Sequence, residues 1–407
     1  MGKRKAITGY DNNKKGHDTS FKLSKKYKEL IQEIPIDSDS NALYFNTQLS
    51  IEQKNKVIQE LTILQRDTEK PKMFQLLESN IPSAFKHIAM KKIIQLENGE
   101  DCMGKTKQWV DMFLKIPFKT SARLPITIDD GHLKCKEFIE FCEKTLNDCC
   151  YGMHDAKNQL MQLIGKWIVN PSTMGTAIAL KGPMGTGKTT LIKNGISKIL
   201  NRPFAFIALG GSSDGCFLDG HSFTYDGSMP GKIVDILIQS KCNNPVIFFD
   251  ELDKVSKTDK GDEIIGILTH LTDTTQNSQF HDKYFSEIDF DLSKCLFIFS
   301  YNNEENVNRI LKDRMYVIDV KGYSNEEKII IAKKYIIPEL MKEYNIHFIK
   351  LSDDVIVHII GHIEKEDGVR CLKRSLETIY SKINLKRILS QDFTETNITV
   401  LNVGEWL

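Results

Sequence analysis

Residues Gly182 to Thr189 read GPMGTGKT, between an apolar run, TAIALK, and a helical stretch, TLIKNGISKIL. A G-x-x-x-x-G-K-[ST] loop set between a strand and a helix lets backbone N–H groups close round phosphate oxygens, aided by the dipole of the helix that follows. Gly182, Pro183, Met184, Gly185, Thr186, Gly187 and Thr190 then shape a nucleotide cradle. Lys188 reaches the β/γ-phosphates, and the Thr189 hydroxyl ligates Mg²⁺. The implied cofactors are ATP and Mg²⁺.

Farther on, NPVIFFDELDK ends an apolar run in two carboxylates. Beside a phosphate loop, Asp250 is placed to hold the metal and Glu251 to polarise an attacking water. A third run, CLFIFSYN, ends at Asn302, whose amide could hold that water or simply close a turn. Arg314, in NRILKDRMYVI, reads either as a surface charge or as an arginine that reaches a neighbouring subunit's nucleotide.

One further segment invites chemistry of another kind. GHSFTYDGSMPGK, residues 220 to 232, surrounds Tyr225 with Gly220, Gly227, Pro230 and Gly231. Its glycine spacing does not suit phosphate. Tyr225 is therefore either a core tyrosine or an exposed aromatic on a pliable mount.

The elements that carry these residues are legible from texture. The runs TAIALK, FAFIAL, PVIFFD and CLFIFS alternate with amphipathic stretches, which predicts a parallel α/β sheet with helices on its faces. Residues 36–145 read as a helical N-terminal extension with a proline-bearing connector, LKIPFKTSARLPITI. Residues 146–320 read as the α/β nucleotide-binding domain and 321–407 as a mostly helical lid. Ser324 and Glu327 form a capping box, a second lid helix follows Ser352, and NITVLNVGEWL suggests a short closing strand. Residues 1–35 are Lys-rich and poor in apolar groups, the composition of a disordered arm.

Bulk properties narrow the function. In 407 residues, 41% hydrophobic and 27% charged content fits a globular protein with a real core. A net charge of +1 argues against whole-molecule attraction to nucleic acid. No apolar run approaches the ~18 residues of a membrane span. Ala6 stands where a myristoylation signal at Gly2 needs Ser or Thr. Nine cysteines without a C-x-x-C pair suit reduced thiols and a cytoplasmic location. His358 and His362 sit four apart in VIVHIIGHI, but the zincin glutamate is missing, so their surroundings read as core.

Taken together, these motifs resemble the AAA+ module of Lon-type ATP-dependent proteases. YGMHDAKNQLMQLI, GPMGTGKTTL, GHSFTYDGSMPGKI, NPVIFFDELDK, LKDRMYVIDVKGYSNEEKIIIAKKYIIP and EDGVRCLKRSLE follow in that family's order over about residues 110–407. The resemblance implies an adenine pocket at Tyr151 and Gly152, Walker A at Lys188 and Thr189, and Walker B at Asp250 and Glu251. It makes Asn302 sensor 1, Arg314 the arginine finger, Arg370 the sensor-2 arginine, and Tyr225 the pore-loop aromatic that grips polypeptide. It also implies a hexamer acting on protein substrates.

Two departures stand out. Acidic Asp226 follows Tyr225 where the family usually has an apolar residue, and Gly261-Asp262-Glu263 replaces its Gly-Asp-Pro. The resemblance ends about where the lid closes, so the expectation is a module without the family's Ser-Lys peptidase. The expectation is an ATPase that remodels proteins, with a separate peptidase or an adaptor as possible partners. A nucleic-acid motor is the alternative, disfavoured by Asp226.

Overall fold

The computed structural model describes residues 22–27, 38–66, 70–99, 103–211, 214–346, 351–389 and 403–406. Of the basic arm expected over 1–35, only 22–27 fall among them, and these are helical. The closing strand expected at the chain's end lies outside the described residues up to 402, and Val403–Trp406 is a helical turn.

The chain divides into two compact units, 1–79 and 80–407. In the first, α1 (Ser38–Gln48), α2 (Ile51–Arg66) and α3 (Lys72–Glu78) are helical. Tyr27 stacks on Phe45 at 3.9 Å between ring centroids, and Ile58 is buried with them.

The second unit opens with α4 (Ser83–Glu97) and α5 (Met103–Phe113). The connector then passes through a 3-10 turn, Ile128–Asp130, to α6 (His132–Cys149) and α7 (His154–Val169). Asn244 holds it in place: its Oδ1 accepts from the Ala122 N–H at 2.8 Å and its Nδ2 donates to the Ala122 carbonyl at 2.9 Å. One amide side chain thus satisfies both backbone groups of a residue that has no strand partner.

Five strands form a parallel sheet in the order β2-β3-β6-β1-β7. They are β1 (Ala177–Lys181), β2 (Phe204–Ala208), β3 (Val246–Asp250), β6 (Leu296–Tyr301) and β7 (Met315–Asp319). The pair β4 (Phe280–His281) and β5 (Asp289–Phe290) forms a separate antiparallel ribbon. Strands buried on both faces lose the alternation of a half-wet sheet and read as unbroken apolar runs. All six residues of β6 and the first four of β3 are buried accordingly.

Register decides what meets at the carboxyl edge. Phe249 pairs with Phe299, and Lys181 pairs with both Tyr301 and Asp319. The loops after β1, β3 and β6 therefore leave the sheet side by side, in the crevice where open α/β sheets bind ligands. The phosphate-loop helix α8 begins at Lys188–Thr190, widens through a π-helical stretch, Leu191–Ile196, and ends at Ser197–Ile199.

Beyond β7 the chain becomes helical. The helix α12 (Asn325–Ile331) begins with the expected capping box, the Ser324 side chain accepting from the Glu327 N–H and the Glu327 carboxylate from the Ser324 N–H. Between β2 and β3 lies α9 (Lys232–Ser240), and between β3 and α12 lie α10 (Asp259–Thr272) and α11 (Arg309–Asp313). The lid continues through α13 (Asp353–His362), which follows Ser352, and α14 (Arg370–Leu389). Ile356, Ile359, Leu372, Leu376 and Ile379 give it a core of its own. His358 and His362 lie on α13 with ring centroids 4.0 Å apart, and His362 Nδ1 contacts the His358 carbonyl at 2.8 Å.

Phe249 and Phe299 stack at 4.8 Å in the middle of the sheet. Phe299→Ala should cost about 3–5 kcal/mol of unfolding free energy. Phe206→Ala, on the exposed face of edge strand β2, should cost far less. Urea denaturation of the two variants measures both, and equal losses would contradict this placement of the core.

Candidate nucleotide-binding site

A cavity of about 450 Å³ opens where the carboxyl ends of β1, β3 and β6 meet the start of α14. Met184 through Thr190, Asp250, Glu251, Ser300, Tyr301, Asn302, Val369, Arg370, Lys373, Arg374 and Glu377 line it.

Gly185 at φ +75° and Gly187 at φ +92° hold left-handed torsions that a side chain disfavours. Gly182 is a glycine for a different reason: a Cβ there would lie 2.1 Å from the Val320 carbonyl oxygen. Gly182 and Pro183 do not line the cavity. They support it from behind, because their carbonyls accept from Lys188 Nζ at 2.7 and 2.8 Å.

The Lys188 ammonium is buried and donates a third bond to Asn302 Oδ1 at 3.2 Å. Burial pushes its pKa down to about 8, more than the neighbouring Asp250 and Asp253 charges pull it up. The acceptors of these three bonds are all neutral oxygens. An ammonium so placed suits an anionic phosphate, and Thr189 with Asp250 supplies hard oxygen donors for Mg²⁺.

Ser300 joins the two acidic positions. Its hydroxyl donates a short hydrogen bond to Asp250 Oδ1 and lies 3.4 Å from the Glu251 N–H. Glu251 itself adopts φ +59°, a left-handed torsion that costs a non-glycine roughly 1–2 kcal/mol. That torsion turns the chain out of β3 and directs the carboxylate toward Gly210, where a Cβ would lie 2.3 Å from Oε2.

The other expected residues are placed as follows. Tyr151 and Gly152 sit behind the phosphate loop rather than in the cavity wall. The Tyr323 hydroxyl is 3.2 Å from the Tyr151 carbonyl and 2.7 Å from that of Thr186. Tyr323 thus ties the Tyr151–Gly152 segment to the phosphate loop. Arg314 stands away from its own chain's cavity at the sheet edge, within 3.3 Å of Asp273 and 3.1 Å of the Ile310 carbonyl.

Residues 178–322 match the model of the ATPase family associated with various cellular activities (AAA). A Lon protease homolog of Acanthamoeba polyphaga mimivirus is 40% identical over 316 residues, 76% of this chain and 30% of the homolog. The Lon protease of Clostridioides difficile strain 630 is 37% identical over 306 residues, 74% of this chain and 37% of that protein. A mitochondrial Lon protease homolog of Drosophila melanogaster is 37% identical over 247 residues, 60% of this chain and 24% of its own length. The chain carries an AAA module of the Lon type. It spans well under half the length of these relatives.

In this Lon-type module the loop of residues 220–231 is closed at its root and exposed at its tip. Tyr225 is 69% exposed, which excludes the core reading. At the root, Gly231 packs so closely that a Cβ would lie 2.1 Å from the Leu218 carbonyl, and Gly220 takes φ +83°. Buried Asp282 pins that root, accepting from the Gly231 N–H at 2.7 Å and from the Tyr284 and Phe285 N–H groups at 2.8 and 3.2 Å. Burial raises its pKa to about 6 against the lowering effect of those bonds.

Two lysines of the helical extension reach this loop. Lys105 Nζ contacts Asp226 at 2.9 Å and the Thr224 carbonyl at 3.1 Å. Lys92 Nζ lies 4.7 Å from the Phe223 ring centroid. The acidic residue after Tyr225 therefore has a cationic partner within its own chain.

Sequence reading missed Ser300, Gly210, Asp282 and the cavity-facing Lys373 and Arg374. Only the last two left a usable signal, since Arg370, Lys373 and Arg374 share a helix face at i, i+3, i+4 spacing. Among the described residues, no helix is long and apolar enough to cross a membrane.

Two outcomes follow from these groups. A phosphate brought against Lys188 raises its pKa again, so ATP binding near pH 8.5 should take up protons and binding at pH 6.5 should not. Calorimetry in buffers of different ionisation enthalpy measures this, and equal uptake at both values would contradict a depressed Lys188. Asp282→Asn places an NH₂ against the Gly231 N–H or withdraws an acceptor from Tyr284 and Phe285. Amide exchange at Gly231 should then accelerate while basal ATP turnover persists.

Proposed function

We propose that this module hydrolyses ATP with Mg²⁺ and uses the cycle to pull on polypeptide through a ring of identical subunits, with Tyr225 as the contact. The observation that carries the reading is the convergence of Lys188, Asp250, Glu251, Asn302 and Arg370 on one cavity behind a phosphate loop.

In this reading the loop N–H groups and Lys188 bind the phosphates, exchanging neutral oxygens for anionic ones. Thr189 and Asp250 hold Mg²⁺, which supplies charge neutralisation on the phosphate oxygens. Glu251 accepts a proton from the attacking water, and Asn302 orients that water. Arg370 brings lid charge over the phosphates. Arg314, remote from its own cavity, serves the nucleotide of the next subunit in a homohexamer. Tyr225, exposed at the tip of a pinned loop, meets protein substrate. Cleavage of a remodelled substrate, where it occurs, falls to residues other than these 407.

Lys188→Ala should abolish nucleotide binding, whereas Glu251→Gln should bind ATP and stall. Arg314→Ala should cut turnover steeply, within the roughly 10³–10⁵ range of such fingers, with ATP affinity nearly kept. Mixing Arg314→Ala with Lys188→Ala subunits should restore part of the turnover, since each lacks a different half-site. Equal turnover in wild type and Glu251→Gln refutes the catalytic assignment, and no recovery on mixing refutes the shared site. Tyr225→Ala should keep basal turnover and folding but lose unfolding of a tagged substrate. A large fall in melting temperature would instead mark Tyr225 as structural.

A further inference from the structure

We infer that Gly368 is a positioning residue for the nucleotide site: its bare backbone lets the lid rest directly on the phosphate loop and so seats Arg370 there. This rests on the reading of the cavity as an ATP site.

Gly368 is buried, and its backbone lies outside the left-handed region that would by itself demand glycine. Space demands it instead. A Cβ at this position would lie 2.2 Å from the Met184 carbonyl oxygen, 2.7 Å from the Gly185 carbonyl carbon and 2.8 Å from Gly185 Cα. All three are backbone atoms of the phosphate loop, so no side-chain rotation relieves the overlap. Either the loop deforms or the lid lifts.

The contact is reciprocal. Next to Gly368, the Val369 N–H donates to the Gly185 carbonyl at 3.1 Å. A Cβ on Gly185 would in turn meet the Cβ and the backbone nitrogen of Arg370, both at 3.1 Å. Two glycines thus face each other across the joint between lid and loop, and the main chain of Arg370 lies against the loop itself.

The start of α14 transmits any displacement. The Glu366 carboxylate accepts from the N–H groups of Arg370, Cys371 and Leu372 at 3.1, 2.8 and 3.1 Å. That cap joins the segment before Gly368 to the first turn of the helix. The helix then runs 20 residues into the lid core. A side chain at 368 therefore lifts the first residue of the helix, Arg370, away from the phosphate loop, with the core packing of the lid preserved.

The test uses Gly368→Ala, with Gly361→Ala as control, because Gly361 is exposed on α13 with nothing within 4 Å of a Cβ. Steady-state ATP hydrolysis of Gly368→Ala should fall about 10- to 100-fold in kcat/KM, the scale of a misplacement near 1 Å, with melting temperature kept. Gly361→Ala should be neutral in both. In the Arg370→Ala background, Gly368→Ala should cost little more, since its effect acts through that arginine.

Two results overturn the inference: kcat/KM of Gly368→Ala within twofold of wild type, or losses that multiply fully in the double variant. Amide exchange tests the joint without turnover. The Val369 N–H should exchange slowly in the wild-type protein and quickly in Gly368→Ala, and fast exchange in wild type refutes the contact even if the variant fails to fold. Absence of an Arg370→Ala effect, with Val369 protected in wild type and exposed in Gly368→Ala, would refute the reading of the cavity and leave the joint standing.

Discussion

The structure turns on one constraint: the backbone of the phosphate loop must be approached closely from several directions at once. Val320 meets it at Gly182, the lid meets it at Gly185, and Lys188 donates to its carbonyls from within. Each approach leaves no room for a Cβ or satisfies a backbone oxygen that would otherwise lack a partner. Glycine in this loop therefore serves packing by its neighbours as much as phosphate binding. The lid cannot be a loosely tethered cap, because its own Gly368 is part of the same close packing.

Electrostatics builds on that geometry. Lys188 is held by neutral oxygens in a buried setting, which leaves its charge uncompensated by direct contact and its pKa depressed. Strand register brings Asp250 beside Ser300, so a serine hydroxyl, rather than a cation, is its direct partner. The site keeps a positive group and a carboxylate apart, each poorly compensated, and a ligand carrying phosphate and a divalent cation would answer both. At the aromatic loop, by contrast, charges are matched internally: Asp226 by Lys105, Asp219 by Lys283.

Much of this was legible from residue order. Parallel strands buried on both faces demand unbroken apolar runs, so TAIALK, PVIFFD and CLFIFS marked β1, β3 and β6, while the apolar FAFIAL marked the partly exposed edge strand β2. Capping residues bond within three or four positions, so Ser324 and Glu327 announced α12. The phosphate loop uses local backbone torsions and one adjacent helix, and its pattern is correspondingly local. The glycines round Tyr225 favoured an exposed mount over a core position, because a packed core needs no such backbone freedom, and the residue is exposed.

Sequence alone determined the elements and the chemical types available at their ends, since both follow from short-range periodicity and local torsions. Tertiary structure decided which ends meet. Ser300 became a partner of Asp250 through strand register, Asp282 pinned Gly231 across 51 residues, and Gly368 met Gly185 across the joint between sheet and lid. These contacts depend on distances between atoms far apart in the chain. A serine, an aspartate or a glycine carries no mark of such a contact until the fold closes around it.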